Sequence, residues 1–589
     1  MLLSFLLLQA TIALAAAQGT YGPKQAIRAE WERKLPALQP DRLAPAHRER
    51  LAQSRRRIGR PGDPGTIPFD QIAPTETVWL AKARAAKSPQ DRYTALYWLN
   101  RLKSKSALEA LRGLRPEDAA AWPVALHLEN ALATARLNGG RVDADLEAFL
   151  AALGKAGKVD PVRAQAARLR LVIGGLEPSL LPPIPDTPRA RAAMFEALGR
   201  VPLEARKAWL KGVELDRPGS LGLRAEGAAP RSREEEIWVR TATLTALGPT
   251  APWKDSAAFA RLWTEVGAFR SPNLTRTFLE VLRDAEGAEA AAFALDLEPR
   301  LRAPLERSWL LPVLRKHAPA AADRLRTELL AGSDASARAA AIEDLPSLPE
   351  PPAWEALHAR VWAEAALDSR EALLQALARW DLPSDRRKAL LAPWLQHPDW
   401  TSRYQAYEAL MKLDPATPWP LAPAPSKREE ALLTLATRLA QRGRPVRLRF
   451  TFGGGRTLVL RLDPTLAPIN VANLVTLVRK GFYDGLKVGR IVPDFVVQMG
   501  SPYGTMDGGP GHTVRCETSE AWYGPGSVGM ALSGKDTGGS QFFITLNAHP
   551  FLDGKYTWMG AVEDPDRALP MLDALPLETP ILKAEVLPR

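Results

Sequence analysis

The chain has 589 residues, enough for more than one domain and for a core that needs no staples. Hydrophobic residues make up 46% and charged residues 24%, which excludes a disordered or multi-span membrane chain. The net charge of +12 favours acidic partners only weakly on a chain this long, and one cysteine, Cys516, excludes an internal disulfide or a zinc site needing two thiolates. The seven histidines, at positions 47, 127, 317, 358, 397, 512 and 549, are scattered, so no metal site is expected.

Residues 2–17, LLSFLLLQATIALAAA, form an apolar run too short to span a bilayer comfortably. Ala13-Leu14-Ala15 and Ala15-Ala16-Ala17 offer small residues at cleavage-like spacing, so a signal peptide over 1–17 and export to the periplasm or outside are expected. No Lys or Arg precedes the run, which departs from the usual pattern. A basic lead-in follows over 18–69. Within it, residues 21–60 hold eleven Lys/Arg against four acids. It lacks aromatic interleaving, so it reads as a solvated segment and no nucleic-acid partner is expected.

From 70 to 413 the pattern is helical nearly throughout, in segments of 10–18 residues broken at Pro, Gly or Asp. Short polar residues stand where N-caps are useful, near Asp143, Asp160, Ser271 and Asp334. Asp368-Ser369-Arg370-Glu371 has capping-box spacing before the stripe Leu373, Leu374, Leu377 and Trp380. His397-Pro398-Asp399 turns into a further helix over 401–413. Paired amphipathic helices cannot bury their apolar faces alone, and stacking them gives an α-solenoid. Residues 332–348 and 397–413 loosely resemble HEAT-type repeats; a non-repeating helical domain is the rival reading. Proline-dense stretches at 178–188 and 415–425 read as stiff connectors. The first offers a break in the helical region at 177–188. The second, with a helix at about 427–441, makes 414–442 a linker.

At 445 the period switches from 3.6 to 2. Val446, Leu448, Phe450 and Phe452 alternate with polar residues. Gly453-Gly454-Gly455 then turns the chain, and Leu458, Leu460 and Leu462 alternate again, predicting a β-hairpin with one buried face. Pro468 opens a helix to about Lys480, with Val471, Leu474, Val475 and Val478 as its stripe.

Two blocks then follow, GFYDGLKVGRIVPDFVVQMGSPYGTMDGGPG (481–511) and GSVGMALSGKDTGGSQFFITLNAHPFLDGKYTWMG (526–560). They resemble the cyclophilin family of peptidyl-prolyl cis–trans isomerases. The resemblance covers about 443–589 and implies a closed eight-stranded antiparallel barrel capped by helices, behind the helical repeats. It implies a catalytic set of Arg490, Phe495 and Gln498. It also implies substrate contacts from Val496, Ala531, Leu532, Gln541, Phe543, Phe551, Leu552 and Tyr556. Val496, Leu532 and Tyr556 stand where many members have Met, Asn and His, and Phe551 where some have Trp, which leaves the cation, its orienting glutamine and the cup in place. The chemistry suits the residues. An X–Pro amide resists rotation by about 18–20 kcal/mol because the nitrogen lone pair is delocalised, and a cation donating to that nitrogen favours the twisted form. No cofactor is expected. The expected substrates are proline-containing polypeptide clients. The helical region would hold a client or an envelope-protein partner, and no transmembrane segment remains once the leader is cleaved. The rival from the interaction-protein class is a scaffold whose barrel grips proline segments without catalysis.

Overall fold

The computed structural model describes residues 80–85, 188–198, 231–247 and 256–588, the last with gaps at 286–287, 348–353, 365, 418–426, 494, 518, 520, 522, 535, 547–548, 550–551 and 553–554; residues 144 and 148 are also placed. The leader, the basic lead-in, the caps near Asp143 and Asp160, most of both proline-dense stretches and Phe551 lie outside the described residues.

Beyond a helical stretch at 80–85, thirteen described helices precede the linker helix. They are α1 (Pro188–Leu198), α2 (Arg233–Leu247), α3 (Ser256–Gly267), α4 (Pro272–Asp284), α5 (Ala288–Leu297), α6 (Pro304–Ser308) and α7 (Leu311–His317), then α8 (Pro319–Ala331), α9 (Ala335–Glu343), α10 (Trp354–Ala363), α11 (Leu367–Arg379), α12 (Ser384–Leu391) and α13 (Trp400–Leu413). The sequence punctuates them as short polar caps should. Ser271, Asp334 and Asp399 each accept a bond from a backbone N–H in the first turn of α4, α9 and α13. The capping box expected at Asp368 does not form. Helix α11 starts two residues earlier than that box requires, its N-cap is Ala366 without a side-chain bond, and the Asp368 carboxylate instead accepts from the Ser336 hydroxyl on α9. A donor across the helix interface replaced the local one. Helices pack on next-but-one neighbours, α2 on α4, α9 on α11 and α11 on α13. The stripe Leu373, Leu374, Leu377 and Trp380 is buried, and Trp380 meets Trp354 edge-on at 5.4 Å.

The linker helix α14 (Lys427–Arg442) leads into the C-terminal region, whose eight strands are β1 (Val446–Phe452), β2 (Thr457–Leu462), β3 (Val488–Val492), β4 (Val496–Met499), β5 (Ser527–Met530), β6 (Phe542–Thr545), β7 (Trp558–Val562) and β8 (Ile581–Val586). They form one antiparallel sheet in the order β3-β4-β6-β5-β7-β2-β1-β8, curled as a half-barrel. The edges β3 and β8 share no ladder. An isolated bridge, Lys487–Pro580, and backbone bonds from Val488 N to Thr579 O (3.0 Å) and from Glu578 N to Val488 O (2.9 Å) run between the segments that flank them. The expected hairpin is present, with Phe450 opposite Leu458 and Leu448 opposite Leu460. Its alternation sends Leu448, Phe450, Phe452, Leu458, Leu460 and Leu462 into the core. Gly454 and Gly455 take φ of +76° and +74° in the turn, a conformation that disfavours a side chain.

Helix α15 (Pro468–Arg479) packs against the linker helix α14 and β8, and its buried residues join the core of the sheet. Its cap, Ala467, offers no side chain, and the buried carboxylate of Glu517 takes that place, accepting from Ile469 N at 3.1 Å and Asn470 N at 2.9 Å. Helix α16 (Pro565–Asp573) completes the C-terminal region.

The helical region and the half-barrel touch along a broad seam. Glu578, 1% exposed, accepts from Ser271 Oγ at 2.6 Å, Asn273 N at 3.2 Å, Asn273 Nδ2 at 3.0 Å and Lys487 Nζ at 3.1 Å. A carboxylate thus sits at the N-terminus of α4, where the helix dipole favours negative charge. Thr401 and Thr513 hydroxyls meet at 3.0 Å, and Ser533 Oγ donates to Glu371 at 3.4 Å.

Candidate active site

Strand alternation alone builds one face of the site. In β4, Val497 and Met499 enter the barrel core while Val496 joins an apolar cluster on the other face. In β6, Phe542 and Ile544 point in and Phe543 points out. Register then places Arg490 opposite Gln498, Gln498 opposite Phe543, and Phe543 opposite Gly529. Cation, amide, ring and glycine therefore form one rank across β3, β4, β6 and β5.

The polar half of that rank is a directed chain of hydrogen bonds. Gln541 Nε2 donates to Met506 O at 2.8 Å and to Gly508 O at 2.9 Å. Both of these acceptors are carbonyls, so the Gln541 amide is oriented with its oxygen free to receive Gln498 Nε2, at 3.0 Å. Gln498 then presents Oε1 to Arg490 Nη1 at 3.3 Å. The chain fixes which amide edge the guanidinium sees.

The apolar half is a cup of Val496, Tyr523, Phe543 and Leu552, rimmed by Phe495, Ala531, Tyr556 and Trp558. Tyr523 stacks on Phe543 at 5.8 Å, and Tyr556 meets that ring edge-on at 5.6 Å. Ala531 N bonds to Gln541 O at 3.0 Å, which holds the 531–532 segment beside the chain of amides. Of the residues singled out in the sequence, Arg490, Phe495, Val496, Gln498, Ala531, Leu532, Gln541, Phe543, Leu552 and Tyr556 all line one cavity. Tyr523, Trp558 and His549, whose ring meets Phe495 edge-on at 4.8 Å, were not anticipated. Trp558 stands on β7, while Tyr523 and His549 lie on loops joined by a bond from His549 N to Tyr523 O at 2.7 Å, and no local pattern announces that meeting.

Gly529 makes room for the cup. A Cβ there would stand 2.4 Å from the Phe543 ring and 2.6 Å from the Tyr523 hydroxyl. Gly529→Ala is expected to push Phe543 into the cup, raise KM for a proline peptide severalfold and cost about 1–3 kcal/mol of stability. Paired peptide titrations and urea melts of the two proteins check both effects.

The cavity is larger than the cup. It encloses about 1090 Å³ and is walled on its far side by the helical region, with Arg276, Glu343, Asp368, Glu371 and Arg379 among its lining. Burial raises the carboxyl pKa of Glu343, Asp368 and Glu371 above the usual carboxylate range. His512 lines the same space and is held neutral, its pKa lowered to about 4 by burial first and then by the positive charges of Arg428 and Lys480. Its Nε2 lies 2.7 Å from Asn473 Oδ1, which makes Nε2 the protonated nitrogen. An unfolded histidine titrates near 6.5. The unfolded chain therefore takes up this proton first, and stability is lost as pH falls from about 6.5 to about 4. The loss from this group reaches as much as about 3 kcal/mol. His512→Gln is expected to flatten that part of the profile, read as the difference in urea midpoint between variant and parent at pH 7 and pH 4.

Cys516 Sγ accepts from Asp536 N at 3.1 Å, a structural use of the thiol. Among the described residues, no group of His, Cys, Asp and Glu is arranged to hold a metal, and no helix is long and apolar enough to cross a membrane.

The family model for cyclophilin type peptidyl-prolyl cis-trans isomerase/CLD matches residues 447–585. Peptidyl-prolyl cis-trans isomerase B of Bacillus subtilis (strain 168) is 46% identical over 115 residues, which is 19% of this chain and 80% of that protein. The chain belongs to the cyclophilin-type peptidyl-prolyl cis–trans isomerases. A peptidyl-prolyl cis-trans isomerase of Synechococcus elongatus is 44% identical over 119 residues, covering 20% of this chain and 81% of the relative. A solved cyclophilin type isomerase of Cryptosporidium parvum aligns with 25% of this chain and 99% of its own, at 27% identity and a TM-score of 0.24. The cyclophilin domain thus accounts for about a quarter of the length, and the helical wall of its cavity lies outside the family match.

Proposed function

We propose that this enzyme isomerises X–Pro bonds of polypeptide clients drawn into the cleft between the cyclophilin domain and the helical region, and so assists their folding. The observation that carries the reading is that both regions line one continuous cavity. The proline ring enters the cup of Val496, Phe543 and Leu552, with Phe495 at the rim. Arg490 donates to the prolyl nitrogen as its lone pair localises in the twisted amide, a contact that strengthens only in the transition state. Gln498 holds the guanidinium and Gln541 holds Gln498. The 531–532 segment pairs with the client backbone, and Phe551 is assigned a substrate contact on the family resemblance alone. No covalent step and no proton transfer are needed, so no cofactor enters.

The helical region has the next-but-one packing expected of HEAT-type repeats, and the bridge between the edge segments supports a barrel closed at β3 and β8. In this reading the helices hold a client or an envelope-protein partner. The apolar leader exports the chain to the periplasm or beyond, with cleavage after Ala15 or Ala17. Refolding of a protein whose slow phase is X–Pro isomerisation tests the function. That phase, tens to hundreds of seconds uncatalysed, is expected to shorten in proportion to enzyme, and an unchanged phase would overturn the reading. Mass spectrometry of the protein purified from its host reads the leader, and an intact amino terminus would overturn export.

A further inference from the structure

The chain of amides behind Arg490 does not end within the cyclophilin domain. Its last acceptors, Met506 O and Gly508 O, belong to the 503–508 loop, and helix α4 holds that loop from the other side of the seam. Asn273 Nδ2 donates to Gly504 O at 2.7 Å, and Arg276 Nη1 donates to Asp507 Oδ2 at 3.0 Å. The same Asp507 oxygen accepts from Thr505 Oγ1 at 2.7 Å, and Asp507 O accepts from Ser501 Oγ at 2.6 Å. Tyr503 OH reaches Asp334, the cap of α9, at 3.4 Å. Arg276 is itself steadied, with its guanidinium 5.8 Å from the Trp309 ring centre and 3.5 Å from Glu280.

We infer that Arg276 is a positioning residue for catalysis: through Asp507 it fixes the Met506 and Gly508 carbonyls, which orient Gln541, then Gln498, then Arg490. The inference rests on Arg490 as the catalytic cation. Each link has one polarity. If the loop shifts and the two carbonyls leave Gln541 Nε2, the amide can turn over. Gln498 then meets a donor where it needs an acceptor, and Arg490 loses the oxygen that aims it. The helical region would therefore act on the turnover rate without touching the proline.

Arg276 and Asp507 are both about one-third exposed, so neither substitution leaves a buried charge stranded. The experiment compares kcat and KM for a short proline peptide, melting midpoints and side-chain amide spectra of Gln498 and Gln541. It uses the full chain and its Arg276→Ala, Arg276→Lys, Asp507→Asn and Arg490→Ala variants. Arg276→Ala and Asp507→Asn are expected to lower kcat about three- to thirtyfold, with KM and melting midpoint little changed and the Gln541 amide signals broadened or moved. Arg276→Lys, which keeps a donor and a charge, is expected to recover most of the rate. Unchanged kcat in Arg276→Ala, or a fall that only tracks lost folded protein, overturns the inference while leaving Arg490 catalytic. An unchanged rate in Arg490→Ala overturns the catalytic assignment itself and this inference with it.

Discussion

Arg490→Ala is expected to lower kcat/KM for a proline peptide on the order of a hundredfold, with little loss of stability. The side chain is half-buried at the rim of the cavity and hydrogen-bonds to the Gln498 amide, so the fold does not rest on it. Removing one preorganised donor from a developing charge costs about 10²–10³ in rate in other active sites. A hundredfold is about 3 kcal/mol of a barrier of about 18–20 kcal/mol. In the proposed mechanism the contact is to a nitrogen that is a poor acceptor in the planar amide and a good one in the twisted amide, so the loss is expected on kcat rather than KM. Arg490→Lys is expected to fall between, since it keeps the charge without the planar fork that Gln498 aims. Exchange spectroscopy on a proline peptide measures both. A variant that keeps the parent rate would mean that desolvation in the cup alone drives turnover.

Glu578→Ala is the structural counterpart, with the largest expected effect on stability. Its carboxylate is the common acceptor for Ser271, Asn273 and Lys487 and is nearly without solvent. Truncation leaves the Ser271 hydroxyl and the first turn of α4 without their acceptor, while the Lys487 ammonium, one-third exposed, keeps access to water. Each buried donor left unpaired in this way costs about 1–3 kcal/mol. Glu578→Gln retains the shape and one acceptor oxygen, and is expected to lose less than half as much. Urea melts give the totals. Amide hydrogen exchange at the start of α4 locates the loss, which should appear there before it appears in the hairpin of β1 and β2. Equal protection of α4 in variant and parent would show that the seam is held elsewhere.

The parts of this molecule that obey one period were legible from residues alone. The alternation at 446–462 gave the hairpin and its buried face, and Pro468 with its stripe gave α15 to within a residue. Short polar caps at Ser271, Asp334 and Asp399 marked helix starts because a cap acts through its own first turn. Asp368 failed as a cap because its partner, Ser336, comes from another helix. The same distinction governs the site. Arg490, Gln498 and Phe543 sit in sequence blocks that resemble a family, so they could be named. Asn273 and Glu578 are 305 positions apart and meet only through tertiary packing, which periodicity does not encode. Tyr523 and Trp558 each read as an ordinary core aromatic until the loop before β5 and strand β7 bring them into the cluster around Phe543.

The second wall of the cavity sets charged groups across from the proline cup. Arg276, Arg379, Glu343 and Glu371 line the same space of about 1090 Å³ as Phe543 and Leu552. A polypeptide lying along the cup would present its outer side to those groups, so the residues flanking a proline, and not the ring alone, would bear on how well it is held.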